Sequence, residues 1–169
     1  MNRCAILVEK ANAGKLFDIG VSLGILTTES KNLKSDCDQS ELNDNDVGIA
    51  EIDGWGVLFT DCLPFLEQEP KLSRFSENTK IFFWLTESTS AGLWFEYHVN
   101  GVLIRKWIEI ESKVLVNEGD ALVEEPVGFF TSEDDEDGER DEWKIVDLAE
   151  KVTKVPSEKL FSDIFDIYR

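Results

Sequence analysis

Gly92-Leu93-Trp94-Phe95-Glu96-Tyr97-His98-Val99-Asn100-Gly101-Val102-Leu103-Ile104-Arg105-Lys106-Trp107-Ile108-Glu109-Ile110-Glu111 is the stretch whose reading decides the fold. Residues 92–99 and 102–111 are rich in aromatic and branched side chains, and Asn100-Gly101 separates them. Asn-Gly is the favoured pair for a two-residue type I′ turn, because both positions need positive φ. A two-residue loop sets the register of the strands it joins. Val99 is then expected to face Val102, and Tyr97 to face Ile104. On the opposite face Glu96 meets Arg105, and Trp94 meets Trp107. An ion pair and an aromatic pair in register each add about 0.2–1 kcal/mol.

Outward from this hairpin, Lys80 to Thr86 carries Ile81-Phe82-Phe83-Trp84-Leu85 without a polar break. Such a run suits a central strand covered on both faces. Val47 to Ile52 alternates with the two-residue period of a strand. Asp53-Gly54 is a hairpin turn, and Trp55-Gly56-Val57-Leu58-Phe59 is the returning strand. Residues 3–9, with Ile6-Leu7-Val8, form a further buried strand. Residues 17–26 are apolar but broken by glycines, and fit a short helix or a turn-containing segment. Pro64-Phe65-Leu66-Glu67 is placed to open a short helix.

The C-terminal third reads as helix. Trp143, Ile145, Val146, Leu148, Ala149 and Val152 recur at helical spacing until Pro156. Ser157 caps a second helix, 158–166, with Leu160, Phe161, Ile164 and Phe165 as its apolar face. Strands first and helices last indicate an α+β fold: an antiparallel sheet of about five or six strands with the C-terminal helices packed on one face. The 169 residues form a single domain, 1–169, with polar, flexible loops at 29–46 and 131–142.

Charge narrows the functional classes. Seventeen Lys and Arg stand against thirty-five Asp and Glu, for a net charge of −18. That surface repels nucleic-acid phosphates and anionic lipid headgroups, and attracts basic macromolecules. The N-terminal apolar run is too short for a secretory signal or a membrane span, so a cytoplasmic location is expected. Cys4, Cys37 and Cys62 are expected as free thiols, without metal-ligand spacing. No cofactor or metal is implied.

The usual catalytic patterns are missing. His98 is the only histidine, and no nucleophile-elbow, P-loop or dinucleotide motif occurs. The acidic run after Ser132 lacks the twelve-residue calcium-loop pattern. Two features remain as a candidate binding surface. One is the run Glu133, Asp134, Asp135, Glu136, Asp137, Glu139, Asp141 and Glu142. The other is an aromatic pair, Trp94 and Trp107, since tryptophan is over-represented in binding hot spots.

From Val47 onward a series of short motifs runs in a characteristic order: Asp53-Gly54-Trp55, Leu72-Ser73, Asn100-Gly101 with Arg105, Gly119-Asp120-Ala121-Leu122 with Glu124-Glu125, and Leu148-Ala149-Glu150-Lys151-Val152-Thr153 with Leu160. In these the chain resembles an uncharacterised bacterial domain family of small stand-alone proteins, some beside toxin genes. The first 46 residues and the acidic run at 133–142 lie outside the pattern. The resemblance brings no catalytic residue. Together with the charge it implies an immunity protein that binds and neutralises a cognate toxin, a nuclease-type effector in contact-dependent growth inhibition, by occluding its active site. The alternatives are a non-catalytic protein-binding or regulatory module, and a carboxylate-dependent hydrolase.

Overall fold

The computed structural model describes residues 3–37, 42–43, 45–60, 71–111, 113–126, 143–162 and 165–169. In chain order the elements are β1 (Arg3–Glu9), α1 (Ala13–Ser22), β2 (Asn32–Cys37), β3 (Val47–Ile52), β4 (Trp55–Thr60) and a 3-10 turn (Ser73–Phe75). They continue with β5 (Lys80–Glu87), β6 (Gly92–Val99), β7 (Val102–Ile110), β8 (Lys113–Glu118), α2 (Trp143–Thr153), α3 (Ser157–Ser162) and β9 (Phe165–Tyr168). The strands make one nine-stranded sheet in the order β2-β9-β3-β4-β1-β5-β6-β7-β8. Every neighbouring pair is antiparallel.

The α+β class and the antiparallel sheet agree with the sequence reading, but the strand count does not. The three additional strands carry little hydrophobic signal. β2 lies within the stretch read as a polar loop; it is an edge strand, and an edge needs only backbone pairing. β8 is largely exposed, so its apolar residues follow no buried face. β9 occupies part of the expected second helix. Its four residues alternate, with Phe165 and Ile167 buried, and so short a window mimics helical spacing. The candidate helix at 64–67 lies outside the described residues.

Strand β1 is the middle of the sheet, and Cys4 to Val8 are all buried. Its alternating side chains feed two cores. Ala5 and Leu7 join Phe59, Phe82, Trp84, Phe95 and Trp107 beneath Ile145, Leu148 and Ala149 of α2 and Leu160 of α3. Ile6 and Val8 join Leu58, Ile81, Phe83 and Trp94 against Leu16 and Ile19 of α1. Helices therefore cover both faces, not one. The segment left open at 17–26 supplies the second cover. Asn12 caps α1 by accepting from the Lys15 amide at 2.9 Å. Gly56 lets α1 come close, since a Cβ there would lie 2.6 Å from the Ala11 carbonyl oxygen.

The Asn100-Gly101 turn forms as read, with φ of 51° and 83°. The register beyond it does not. Val99 pairs with Val102 and His98 with Leu103, but Tyr97 then pairs with Arg105. Ile104 is an extra residue in β7, a β-bulge, and every later pair is displaced by one. Glu96 consequently faces Lys106, not Arg105, and Trp94 faces Ile108, not Trp107.

Candidate functional site

The bulge sorts the charged residues of β7 onto opposite faces of the sheet. Lys106 joins Glu96 and His98 on the α1 face. Its Nζ lies 3.0 Å from Glu96 Oε1 and 5.2 Å from the centre of the Trp94 ring. The same carboxylate accepts from Trp94 Nε1 at 3.1 Å and bonds to His98 Nε2 at 2.8 Å. His98 Nδ1 bonds in turn to Ser73 Oγ at 3.1 Å, tying the 3-10 turn to the sheet. Burial opposes ionisation of Glu96. The bond from His98 and the charge and bond of Lys106 outweigh it and hold the carboxyl below its ordinary range.

Ser73, His98 and Glu96 thus share the connectivity of a nucleophile–base–carboxylate relay. Such a relay works when substrate reaches the hydroxyl and the carboxylate balances a newly formed imidazolium. Here the imidazole is only 3% exposed, and Glu96 already balances Lys106. The chain of bonds satisfies four buried polar side chains and ties the turn at Ser73–Phe75 to the sheet.

On the α2 face Arg105 builds a second clamp. Its Nε and Nη2 donate to the two oxygens of Glu125, at 2.8 and 3.1 Å. Its Nη1 donates to Asn117 Oδ1 and to the carbonyls of Glu118 and Gly119. The guanidinium centre lies 5.4 Å from the Trp107 ring centre and 6.0 Å from that of Phe95. Glu125 also accepts from the Leu122 amide, so the 119–125 segment is held on the sheet. Gly119 closes this approach. Its φ is +80°, and a Cβ would lie 2.0 Å from the Ile104 carbonyl oxygen. The bulge that displaces the register is the place where Gly119 presses against β7.

The site residues expected from sequence fare differently. Trp94 and Trp107 are 8% and 6% exposed, on opposite faces of the sheet. They are core residues and form no exposed aromatic patch. Glu133, Asp134, Asp135, Glu136, Asp137, Glu139, Asp141 and Glu142 lie outside the described residues. Ser73 and Glu125 entered the sequence reading only as motif positions, and Lys106 and Asn117 were given no role in it. Only the bulge brings Lys106 to Glu96, and turning Arg105 to the other face is what brings it to Glu125.

Several cations are paired within the molecule. Besides Arg105 and Lys106, Lys80 pairs with Glu9, Lys159 with Asp53 and Arg169 with Asp46. Among the described residues no group of three or more His, Cys, Asp or Glu gathers as a metal site would require, and Cys4 is buried. No helix there is long and apolar enough to cross a membrane. Comparison of the chain with protein-family models, with curated proteins and with solved structures finds no match.

Proposed function

We propose that this chain is a cytoplasmic immunity protein, which neutralises a cognate toxin by covering the basic active-site cleft of a nuclease-type effector domain. The observation that carries this reading is the charge balance. The chain carries a net −18, and at least five of its seventeen cations are bound to partners within the fold, two of them buried. The unbalanced carboxylates project their field outward. A cleft shaped for phosphates is lined with Lys and Arg, and such a field accelerates association by about 10–1,000-fold. The relay-like bonds at His98 support a binding role, since imidazole and carboxylate are both committed to internal partners.

The test pairs the purified chain with an inactivated form of the product of the adjacent gene. Stopped-flow association should be fast at low salt and fall steeply as salt rises. Co-expression should also rescue growth from the active effector. Absence of a complex, or an enzymatic turnover by this chain that disappears when an interior carboxylate is replaced, would overturn the proposal.

A further inference from the structure

Trp143 is the one exposed aromatic side chain among the described residues, at 55% exposure. Trp55, Trp84, Trp94 and Trp107 all lie within the two cores. Trp143 opens α2, and its ring packs against Phe161 of α3 with centroids 5.2 Å apart and planes at 70°. Phe161 packs in the same way on the fully buried Phe59, at 6.0 Å and 80°. The indole is therefore seated on a fixed base. A T-shaped contact covers at most one of its two faces, so the other is left to the surroundings. The exposed apolar residues of the sheet make no comparable site. Ile110 and Val114 point to opposite faces, and Leu115 is the extra residue of a second bulge, in β8.

Asp147 stands one helical turn beyond Trp143, on the same side of α2 and exposed. At this spacing two side chains are neighbours, about 5–6 Å apart at Cβ. Among the described residues the Asp147 carboxylate has no ion pair. Asp141 and Glu142 precede Trp143 directly in the chain, and two carboxylates that close offset the positive end of the helix dipole. The cations of the helix are placed elsewhere. Lys151 is about 12 Å farther along the axis, Lys154 lies past the helix end, and the half-buried Lys144 is about 100° round. The molecule itself shows what an indole beside a carboxylate accepts: Arg105 lies over Trp107 and pairs with Glu125, and Lys106 lies over Trp94 and pairs with Glu96. A second copy of the chain would bring a net −18 against another −18, whereas a basic protein meets no such obstacle.

We infer that Trp143 and Asp147 form the seat for an arginine side chain of the basic partner. The guanidinium stacks on the free face of the indole and donates to the Asp147 carboxylate, which its planar fork can do at once. This rests on the immunity reading and places its contact on α2.

The experiment compares five full-length proteins for binding to the inactivated product of the adjacent gene. They are the unaltered chain, Trp143→Leu, Asp147→Asn, the double variant, and a control, Leu115→Ser, at the exposed sheet edge. Leucine keeps an apolar cover on Phe161 while removing the aromatic face, and matching thermal melts confirm folding. Trp143→Leu should weaken binding at least about tenfold through faster dissociation. Asp147→Asn should weaken it about three- to fivefold and flatten its salt dependence, and the control should change neither. The double variant should lose less than the product of the two, because one guanidinium makes both contacts. Multiplicative losses, or a loss at Trp143 alone, would mean that no single arginine spans the pair and would overturn the inference. Binding that survives both single variants also overturns it and leaves the immunity reading standing, as does self-association in sedimentation that Trp143→Leu abolishes with partner binding unchanged. Failure of the unaltered chain to bind removes both.

Discussion

The bulge at Ile104 makes a prediction that separates it from the uninterrupted hairpin. Glu96 and Lys106 are 3.0 Å apart with both side chains buried, whereas Arg105 lies on the other face of the sheet. Removing one member of a buried ion pair leaves an uncompensated charge and costs about 3–5 kcal/mol. Lys106→Met should therefore lose most of that amount. Glu96→Gln should also destabilise, because it strands the ammonium. The double variant, which leaves neither charge behind, should be milder than the sum of the two by about 1–3 kcal/mol. The cycle of Glu96→Gln with Arg105→Met should show no comparable coupling, although an ideal register pairs these two residues. Urea unfolding followed by tryptophan fluorescence reads both cycles, and Trp94 reports directly because its indole donates to Glu96. For a chain of this size, near 2–4 °C per kcal/mol, Lys106→Met should lower the melting temperature by roughly 6–20 °C. Coupling of Glu96 to Arg105 in place of Lys106 would refute the bulge, and additive effects in both cycles would refute the ion pair's energetic role.

Two glycines with positive φ offer a contrast in one measurement. Gly54→Ala meets nothing within 4 Å and should cost only the conformational penalty, about 1 kcal/mol, while Gly119→Ala adds the clash with Ile104 and should cost at least about 2–3 kcal/mol by urea unfolding. Leu16→Ala, which empties the fully buried face of α1, should cost about 2–5 kcal/mol, whereas Leu115→Ala at the exposed bulge should stay within about 0.5 kcal/mol. At the β5–β6 turn, the side-chain bond from Ser90, opposed by burial and helped by the backbone amides of Ser90 and Thr89 and the Thr89 side chain, lowers the Glu87 carboxyl from 4.5 to about 2. A group lowered on folding stabilises above its unfolded value and loses that contribution as pH falls through its folded value. The stability gap between the unaltered chain and Glu87→Gln should thus be full above about pH 4.5 and close toward pH 2; a gap independent of pH in urea melts would show that the carboxylate's charge contributes nothing.

Several elements were legible before any coordinates. β1, β3, β4, β5, the Asn100-Gly101 turn and α2 each carry a signal complete within about ten residues: an apolar run, a period of two or of 3.6, or a turn pair that accepts positive φ. β2, β8 and β9 were not. Edge strands lack a buried face to imprint an alternation, and four residues of β9 cannot distinguish one period from another. The polar site was half legible. The spacing of Trp94, Glu96 and His98 already placed them on one face. Their partners Lys106 and Ser73, and the clamp of Arg105 on Glu125, come from other segments.

By itself, the amino-acid sequence determined the charge of the molecule, the absence of familiar catalytic motifs, and those elements whose cues are local. Tertiary structure decided which residues face each other across β6 and β7. The turn imposes an ideal register at Val99 and Val102, but Gly119 pressing on Ile104 and the satisfaction of two buried cations select a bulged one. One inserted residue reverses the face of every side chain beyond it, and two of the contacts that favour the insertion, at Gly119 and Glu125, lie 15 and 21 residues beyond Ile104 in the chain. No local pattern contains them.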